Sequence, residues 1–548
     1  MNIKTLKLLL FPLIFLIIIS CNSNQSKVSS RIVVGISADV QSFNSLFAFS
    51  YEENVIADLL YPGLLDFQWN DELGELEIYS MIAKSWQWAK DSLSIRFFLR
   101  NDIVWSDGEK LTSADVIFSY DVFSDPEVQS RLYGTFNQLF TESDGHIDIE
   151  NTFKVISPYE FEMYFPEASV PDLVKLVVPV IPQHLFNKVS RDQLANHESN
   201  FNPVSSGAFK FKKWNRNQTI ILEADSNSFL FTHGQAAELV FKIVPDYTSR
   251  ILQLKKGDID LLELVKVEDL GELKAEKKLE VVKLIGREYD YIGWNNVKLN
   301  ETSKPHKLFG SSDVRKALSM AINRKEILDE YLLGQGELTA SPVSPIYKSA
   351  VNDKVKPYEF NPGEAKKLLA LEGWKDEDRN GILEKGNEEF KFKMFYPVGN
   401  PLREYAAVVV KNSLKSVGIE VTIEKMELGA FINNLYERKL DSWMAGFGVP
   451  IPLDLKPYWY SDPNIGVLNF QSYSKSEADK ILDQLDTKLS SERKKELIKE
   501  LQKIIHQDEP VTFLYWTPNI IVYNTRIKNL KITPYGVLVH CWEWTLNY

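Results

Sequence analysis

The residue types best suited to catalysis or metal binding are present, but their spacing does not assemble a catalytic motif. The chain holds seven histidines, two cysteines and 75 acidic side chains among 548 residues. No two histidines stand four residues apart, as two zinc ligands on one face of a helix would. The sequence also lacks a Gly-x-Ser-x-Gly nucleophile turn and a Gly-x-x-x-x-Gly-Lys-Ser/Thr phosphate loop. We therefore predict neither an enzyme nor a bound cofactor or catalytic metal.

One segment has the pattern of a calcium loop. Asp376, Asp378 and Asn380 stand at alternating positions before Gly381, which is how an EF-hand loop begins. The twelfth position of such a loop is Asn387, where a bidentate Glu is needed. A solvated turn is the preferred interpretation, and a structural calcium site remains the alternative.

The N-terminus has the pattern of an export signal that ends in a lipid-modified cysteine. Two lysines precede the apolar run 8–19, which is too short to span a bilayer but fits the core of a signal peptide. The sequence Ile-Ile-Ser-Cys that ends at Cys21 resembles a bacterial lipobox. We predict a signal peptide over 1–20, lipidation of Cys21 and a polar tether over 21–31. A signal anchor with an incidental cysteine is the alternative.

Composition excludes several classes of protein. Apolar residues make up 44% and charged residues 25% of the chain, which is typical of globular proteins. The 63 basic and 75 acidic side chains give a net charge of −12, so the chain lacks the basic excess of a nucleic-acid-binding protein. The length is sufficient for several domain-sized units.

Strand and helix patterns alternate along the chain. Apolar residues alternate with polar ones over 93–100, which predicts a half-buried strand. Helical spacing runs over 312–333, and the segment 390–448 has the pattern strand, helix, strand, helix, strand, with its middle strand at 419–425. This alternation predicts an α/β fold with several lobes.

Six separated segments occur in the order that a known family has them. They are 61–65, 82–118, 202–210, 254–260, 313–318 and 373–376. The most recognisable block, 99–109, reads Leu-Arg-Asn-Asp-Ile-Val-Trp-Ser-Asp-Gly-Glu. Together these segments resemble the large solute-binding proteins of ABC peptide importers, the oligopeptide-, dipeptide- and nickel-binding family 5, in lipoprotein form. The resemblance extends from residue 31 to about 545.

The resemblance implies a three-lobed, type II-like periplasmic-binding-protein fold with a hinge and an interlobe cleft. The implied boundaries are 32–52, 203–287 and 510–548 for a discontinuous lobe I, 53–202 for lobe II and 288–509 for lobe III. The lobes are expected to close on the ligand by a hinge motion.

The resemblance also implies a function. It indicates a monomer, lipid-anchored to a bacterial membrane in the periplasm or on the cell surface, that captures peptides or peptide-like solutes. The captured solute would pass to the permease subunits of an ABC transporter. Alternatives are an oligosaccharide, a metal chelate or heme as ligand, a role as ligand sensor, or an extracytoplasmic hydrolase.

Aromatic residues form the first group of candidate binding residues. The resemblance places four of them near lobe junctions or the cleft: Trp294, Phe447, Trp459 and Trp516. Large aromatic side chains often lie in cores, so burial is the alternative for each. Tyr291 and Asn295 join the candidates because the segment 289–296 resembles the strand by which the family enters its third lobe.

A second group belongs to a segment that resembles the family's peptide-pairing strand, 441–448. Gly446 and Gly448 lack side chains and would let the backbone of a ligand approach closely. Where the family has an aspartate that anchors the amine of the peptide, this sequence has Pro450. Asp454 is the nearest acidic substitute, and we predict that it takes this role, with a bland exposed carboxylate as the alternative.

Overall fold

The computed structural model describes residues 30–167, 171–299 and 301–547. The predicted signal peptide, Cys21 and all but the last two residues of the predicted tether lie outside the described residues. Within the described ranges, no helix is long and apolar enough to cross a membrane.

The N-terminal part contains a hairpin and a small antiparallel sheet. Its elements are β1 (Arg31–Ile36), α1 (Tyr51–Leu60), β2 (Leu65–Asn70), β3 (Glu75–Ser80), β4 (Ala83–Trp88), β5 (Ser94–Leu99), α2 (Ser113–Ser124), α3 (Ile149–Thr152), β6 (Phe153–Ser157), β7 (Glu160–Tyr164) and α4 (Gln183–Phe186). Strands β2 and β3 form the hairpin, and β4, β5, β7 and β6 lie side by side in the sheet. The predicted alternation over 93–100 is confirmed, since Ile95, Phe97 and Leu99 are buried whereas Arg96 is exposed.

The middle part supplies most strands of one half of a larger sheet. Its elements are β8 (Phe209–Asn215), β9 (Thr219–Ala224), β10 (Glu238–Ile243), α5 (Tyr247–Lys256), β11 (Leu261–Leu262), α6 (Leu270–Ala275), β12 (Leu279–Trp294), β13 (Val297–Lys298) and β14 (Glu301–Pro305).

The C-terminal part alternates helices with strands and then returns to the sheet. Its elements are α7 (Ser312–Ala321), α8 (Arg324–Glu326), β15 (Glu337–Leu338), α9 (Pro362–Leu371), β16 (Glu384–Lys385), β17 (Glu388–Glu389), β18 (Lys391–Pro397), α10 (Pro401–Lys415), β19 (Glu420–Met426), α11 (Leu428–Tyr436), β20 (Ser442–Gly448), α12 (Lys456–Trp459), α13 (Ser476–Leu485), α14 (Ser491–Asp508), β21 (Val511–Asn524), β22 (Ile527–Lys528) and β23 (Thr545–Leu546). Short 3₁₀-helices occupy Ser45–Phe47, Leu173–Leu176, Arg191–Asn196, Glu198–Asn200, Val267–Asp269 and Cys541–Glu543, and Ile327–Tyr331 is a π-helix.

Eleven of the described strands join in one mixed sheet that runs through the molecule. Its order is β19, β18, β20, β12, β21, β11, β1, β10, β9, β8, with β15 also paired to β21. Strands β12 and β21, of 16 and 14 residues, form a long antiparallel pair at its centre. Parallel pairs such as β18 with β19 are separated by a helix, as in α/β units. The predicted α/β fold is confirmed.

The sequence predicted one helix over 312–333, and this prediction is wrong. Helix α7 ends at Ala321, and Ile322 takes an extended backbone conformation. Asn323 then accepts a hydrogen bond from the amide of Glu326 and so caps a new helical start. Arg324 is buried and donates to the carbonyl oxygen of Phe513 at 2.8 Å, which ties the break to β21. The spacing of apolar residues could not reveal this tertiary contact.

Buried apolar residues form three large cores. The N-terminal core draws on 32–261 and 521–544, the middle core on 292–421 with 444 and 514–515, and the C-terminal core on 343–350 and 431–516 with residues 69, 289 and 291. A small fourth core lies under α5 and α6. The N-terminal core is continuous across the predicted lobes I and II, and the lobe boundaries remain a prediction.

A buried polar network fixes the start of β21 against α7. Glu509 follows α14 in a left-handed conformation, and one of its carboxylate oxygens accepts from the hydroxyl of Ser319 at 2.7 Å. The hydroxyls of Ser319 and Thr512 lie 2.6 Å apart, and Thr512 accepts from the indole of Trp294 at 3.0 Å. Burial raises the pKa of Glu509 to about 7, although Ser319 and two buried arginines oppose this.

The raised pKa of Glu509 predicts that stability falls as the pH rises from about 4.5 to about 7. Below pH ~4.5 the carboxyl is neutral in both states, and as pH rises through about 7 the folded protein must bury a charge. We expect the free energy of unfolding to fall between pH 5 and pH 8, by on the order of 2 kcal/mol from this group. In Glu509→Gln, the free energy of unfolding measured by urea titration should fall over this pH range by about 2 kcal/mol less than in the wild type. Glu500→Gln, an exposed change on α14, is the control, and an equal fall in both variants would contradict the prediction.

Candidate functional site

A cavity of about 920 Å³ lies between α1 and the loop that follows β20. Ligand pockets commonly have volumes of about 300–1,000 Å³, so the space suits a ligand of several residues or a large cofactor-sized molecule. Its walls come from α1, β2, 131–137, 172–179, 451–456, α13, α14 and 535–542. The cavity therefore separates elements of the N-terminal core from elements of the C-terminal core.

One face of α1 forms the first wall of the cavity. Tyr51, Asn54, Val55 and Asp58 line it, at the spacing that places residues on one face of a helix. The opposite face packs into the N-terminal core through residues such as Leu60. A capping box fixes the start of the helix, because the side chains of Ser50 and Glu53 each accept a hydrogen bond from the backbone amide of the other.

Two ion pairs join α1 and β2 to distant segments. Asp58 lies 3.3 Å from Arg131, and Asp66 lies 3.2 Å from Nε2 of His540. Arg131 also donates to the carbonyl oxygen of Ser45 at 3.0 Å and to the side chain of Asn54. The guanidinium is therefore held by three acceptors.

Asp58 is open to the cavity but surrounded by protein. Its side chain is 57% exposed, and among the described residues only Arg131 contacts its carboxylate. Desolvation by the surrounding protein raises its pKa to about 6; Arg131 opposes this and Asp66 adds to it. The negative charge of Asp58 is thus only partly neutralised by Arg131.

The segment Ile451–Lys456 forms the opposite wall. Asp454 is exposed, lines the cavity and accepts a hydrogen bond from the backbone amide of Lys456 at 3.0 Å. The ammonium group of Lys456 binds Asp483 and Asp486, at 2.9 and 2.6 Å, instead of Asp454. Asp454 consequently keeps a carboxylate oxygen available to a ligand.

At one edge of the cavity, the hydroxyl of Tyr51 donates to the carboxylate of Glu263 at 3.0 Å. Burial raises the pKa of Glu263 to about 7, and the nearby Glu52 adds to it, whereas the bond from Tyr51 opposes it. This contact attaches the first turn of α1 to the segment that follows β11.

The structure places the predicted tryptophans in cores and not in the cavity wall. Trp294 is 0% exposed and packs on Phe309 in the middle core, with its ring centroid 5.0 Å away. Trp459 and Trp516 are each 2% exposed and belong to the C-terminal core. A role in binding for these three residues remains a prediction, and the contacts observed are those of core packing.

Tyr291, Asn295 and Phe447 lie along the junction of β12 and β20. The ring of Tyr291 stacks on Phe447 with centroids 5.1 Å apart, and Phe447 is half-buried. Asn295 is 1% exposed and donates to the carbonyl oxygen of Leu440 at 3.4 Å. The indole of Trp443 covers Gly293, where an added Cβ would meet it at 2.1 Å. A binding role for all three likewise remains a prediction.

The two glycines of β20 have different surroundings. An added Cβ at Gly446 would come within 2.4 Å of Asp290 and 2.5 Å of Arg403, which form an ion pair there. At Gly448 the nearest atom would be 4.0 Å away, on Glu288, so this end of the strand is open. Asp454 alone among the predicted binding residues lines the cavity.

The cavity wall contains charged residues that sequence reasoning missed, namely Asp58, Asp66, Arg131 and His540. The spacing of Tyr51, Asn54, Val55 and Asp58 marks one mixed face of α1 and was the available signal. Their pairing with residues far along the chain had no signal in the sequence.

The predicted calcium-like loop gathers three carboxylates. Oxygens of Asp376, Asp378 and Glu384 lie within 4.8 Å of one another, on the surface or close to it. Asp378 and Asn380 also accept hydrogen bonds from backbone amides within the loop, which is what a solvated turn would show. The geometry leaves both interpretations of this loop open.

The central pair of strands changes register midway. Residues of β12 up to Ile285 pair with β21 from Pro518 onward, whereas Tyr289 and later residues pair with Trp516 and earlier ones. Residues 286–288 therefore bulge opposite Thr517. At Gly286, an added Cβ would lie 1.8 Å from the carbonyl oxygen of Thr517. This bulge is where the two halves of the sheet meet.

Residues 77–508 match the family described as bacterial extracellular solute-binding proteins, family 5. The chain belongs to this family. The oligopeptide-binding protein AppA of Bacillus subtilis is 29% identical over 542 residues, covering 96% of this chain and 94% of that protein. Heme-binding protein A of Haemophilus influenzae is 24% identical over 504 residues, covering 88% and 86%.

Solved structures of relatives have the same fold. The structure of AppA from Bacillus subtilis in complex with a nonapeptide has a TM-score of 0.72 and 27% identity, covering 94% of this chain and 99% of that one. NikZ from Campylobacter jejuni in complex with Ni(L-His) has a TM-score of 0.72 and 23% identity, with 94% and 99% covered. The predicted family and the predicted solute-binding-protein fold are confirmed.

In this family 5 protein, we expect Gly286→Ala to destabilise the fold. A methyl group has no room beside the carbonyl oxygen of Thr517, so the two central strands would have to separate locally. The free energy of unfolding in urea should fall by about 1–3 kcal/mol, the usual cost of overpacking. Gly448→Ala, in strand β20, where the nearest atom to an added Cβ is 4.0 Å away, is the matched control. Equal stability of the two variants would show that the bulge tolerates a side chain.

Proposed function

We propose that the protein captures peptides or peptide-like solutes in the cavity and delivers them to an ABC importer. The cavity carries this proposal, because it combines a volume of about 920 Å³ with apolar walls and separated charges. Peptides offer all three matching features: an extended length, apolar side chains and charged termini. The relatives support the choice of solute, since AppA of Bacillus subtilis is named an oligopeptide-binding protein and was solved with a nonapeptide.

Closure would follow from the placement of the cavity. One wall belongs to the N-terminal core and the other to the C-terminal core, and β12 with β21 connects them. Bending at the bulge beside Gly286 would bring the walls together on a ligand. A ligand that contacts both walls favours the closed form by its extra affinity for that form, and a permease can then distinguish loaded from empty protein.

The main chain of a peptide could pair with β20. One edge of this strand pairs with β12 along its full length, whereas the other edge pairs with β18 at Ser442 and Trp443 alone among the described residues. The less buried end of the strand, from Gly446 to Gly448, therefore offers backbone groups on that edge, just before the loop that lines the cavity. Pairing of this kind is tolerant of peptide sequence, because every peptide has the same main-chain donors and acceptors.

Other solutes define the alternative outcomes. Heme, a metal chelate or an oligosaccharide would occupy the same cavity, and a sensor would bind without import. Mass spectrometry of ligand that co-purifies with the protein distinguishes the solute classes. Growth on peptides as sole nitrogen source, with and without the gene, separates import from sensing.

We further propose that the protein is a monomer and that lipid on Cys21 holds it on the outer face of a bacterial membrane. Two or more acyl chains give stable membrane attachment. Cys21→Ala should yield a soluble or unprocessed product, measured by membrane fractionation and intact mass. Ser23→Ala is the control, two residues away. Unchanged membrane partition and mass in Cys21→Ala would refute the anchor.

Asp454 should anchor the amino group of the peptide. Its free carboxylate oxygen would form a charge-assisted hydrogen bond, worth about 1.5–3 kcal/mol. Calorimetric titration with free and N-acetylated pentapeptides should show that acetylation weakens binding about tenfold or more in the wild type and hardly at all in Asp454→Asn. An equal loss in both proteins would show that the amine binds elsewhere.

A further inference from the structure

We propose that Asp58 selects peptides that carry a lysine or arginine side chain opposite α1. The inference rests on the proposed capture of peptides and adds a preference of the same cavity. It concerns the wall formed by α1, which faces the loop that contains Asp454 across the cavity. A peptide held by its main chain or its amine would direct some side chains toward this wall.

The geometry leaves the carboxylate of Asp58 incompletely satisfied. Oδ1 accepts from Arg131 at 3.3 Å, a long contact, and Oδ2 has no hydrogen-bond partner among the described residues. Arg131 cannot turn fully toward Asp58, because its other nitrogens donate to Ser45 and Asn54. The side chain of Asp58 is 57% exposed, so a ligand in the cavity can reach it.

Among the charged groups that act on the carboxylate of Asp58, negative charge is in excess. Asp58 and Asp66 carry two negative charges, and Arg131 is the cation that acts on Asp58. Asp66 binds His540, which is neutral when unprotonated, so the group of four has a net charge of −1 in that state. A cationic side chain would neutralise the excess.

Apolar residues beside Asp58 suit the aliphatic part of such a side chain. Val55, Leu59 and Leu65 line the cavity next to it on α1 and β2. Lysine and arginine bury their methylene stems against apolar surface and place the charged group on a partner. A carboxylate at the end of an apolar wall therefore recognises these side chains better than a short polar one.

The test compares lysine with norleucine, which has a four-carbon side chain without the ammonium group. Alanine-based pentapeptides carry either residue at each position in turn, and the amino and carboxyl termini are the same in both series. Calorimetry should show at least one position where the lysine peptide binds the wild type about tenfold more tightly. That ratio should fall to about one in Asp58→Asn, while Asp58→Glu should retain most of it.

Two further variants locate the effect. Asp102→Asn makes the same chemical change at an exposed residue outside the cavity wall, which has no side-chain hydrogen bond or ion pair with any described residue. It should keep the full ratio. Asp454→Asn should also keep the ratio between the lysine and norleucine peptides, because both carry the same amine.

The possible results separate this inference from the proposed function. Peptides that bind with equal affinity whether they carry lysine or norleucine would overturn the selection by charge and leave peptide capture intact. A ratio that persists in Asp58→Asn would overturn the assignment to Asp58. Failure of every peptide to bind the wild type would overturn both. A ratio of about one in the wild type overturns the inference even if Asp58→Asn does not fold, and in that case Asp58→Glu still tests the assignment.

Discussion

The backbone ladder between β12 and β21 is the interaction on which the rest of the structure depends. These strands, of 16 and 14 residues, lie at the centre of the large sheet and belong to both of its halves. Breaking the hydrogen bonds of a buried ladder is unfavourable, because each unpaired amide or carbonyl group would be desolvated without a partner. The ladder is interrupted at residues 286–288 and again between Asp290 and Tyr291, so the proposed closure would concentrate movement at these two places. The absence of a side chain at Gly286 allows the strands to remain in contact there.

Because the fold depends on the two central strands, the walls of the cavity can differ between proteins that share the fold. Most of the cavity wall consists of side chains from α1, the loop after β20 and other segments outside the central ladder, and Arg287 of β12 also lines it. Substitutions in these walls change charge and shape without disturbing the strands that join the two halves. The chain is similar to proteins named or solved with peptides, heme and a nickel complex, so the fold by itself does not fix the ligand.

The sequence was informative about elements and much less so about the site. Alternation of apolar residues predicted β5 and β19 nearly to the residue, because period and burial follow directly from local pattern. The large aromatic residues were ambiguous, and the structure places Trp294, Trp459 and Trp516 in cores, where burial of their large apolar surface is most favourable. The pairing of Asp58 with Arg131 joins residues 73 positions apart, and that of Asp66 with His540 joins residues 474 apart. Contacts of this kind depend on the packing of the whole chain.

The arrangement of charges in the cavity separates affinity from selectivity. Pairing of a peptide main chain with the strand end from Gly446 to Gly448 would accept any extended peptide and would not distinguish one side chain from another. Carboxylates at fixed positions in the wall can distinguish side chains. A ligand without a cationic group at the matching position would remove these carboxylates from water without pairing them. Lys456 is held by Asp483 and Asp486 and so does not neutralise Asp454, just as Arg131 is divided among three acceptors and only partly neutralises Asp58. Each wall thus has one carboxylate that is not fully neutralised, and under the proposed function the distance between the two would determine which peptides can bind both.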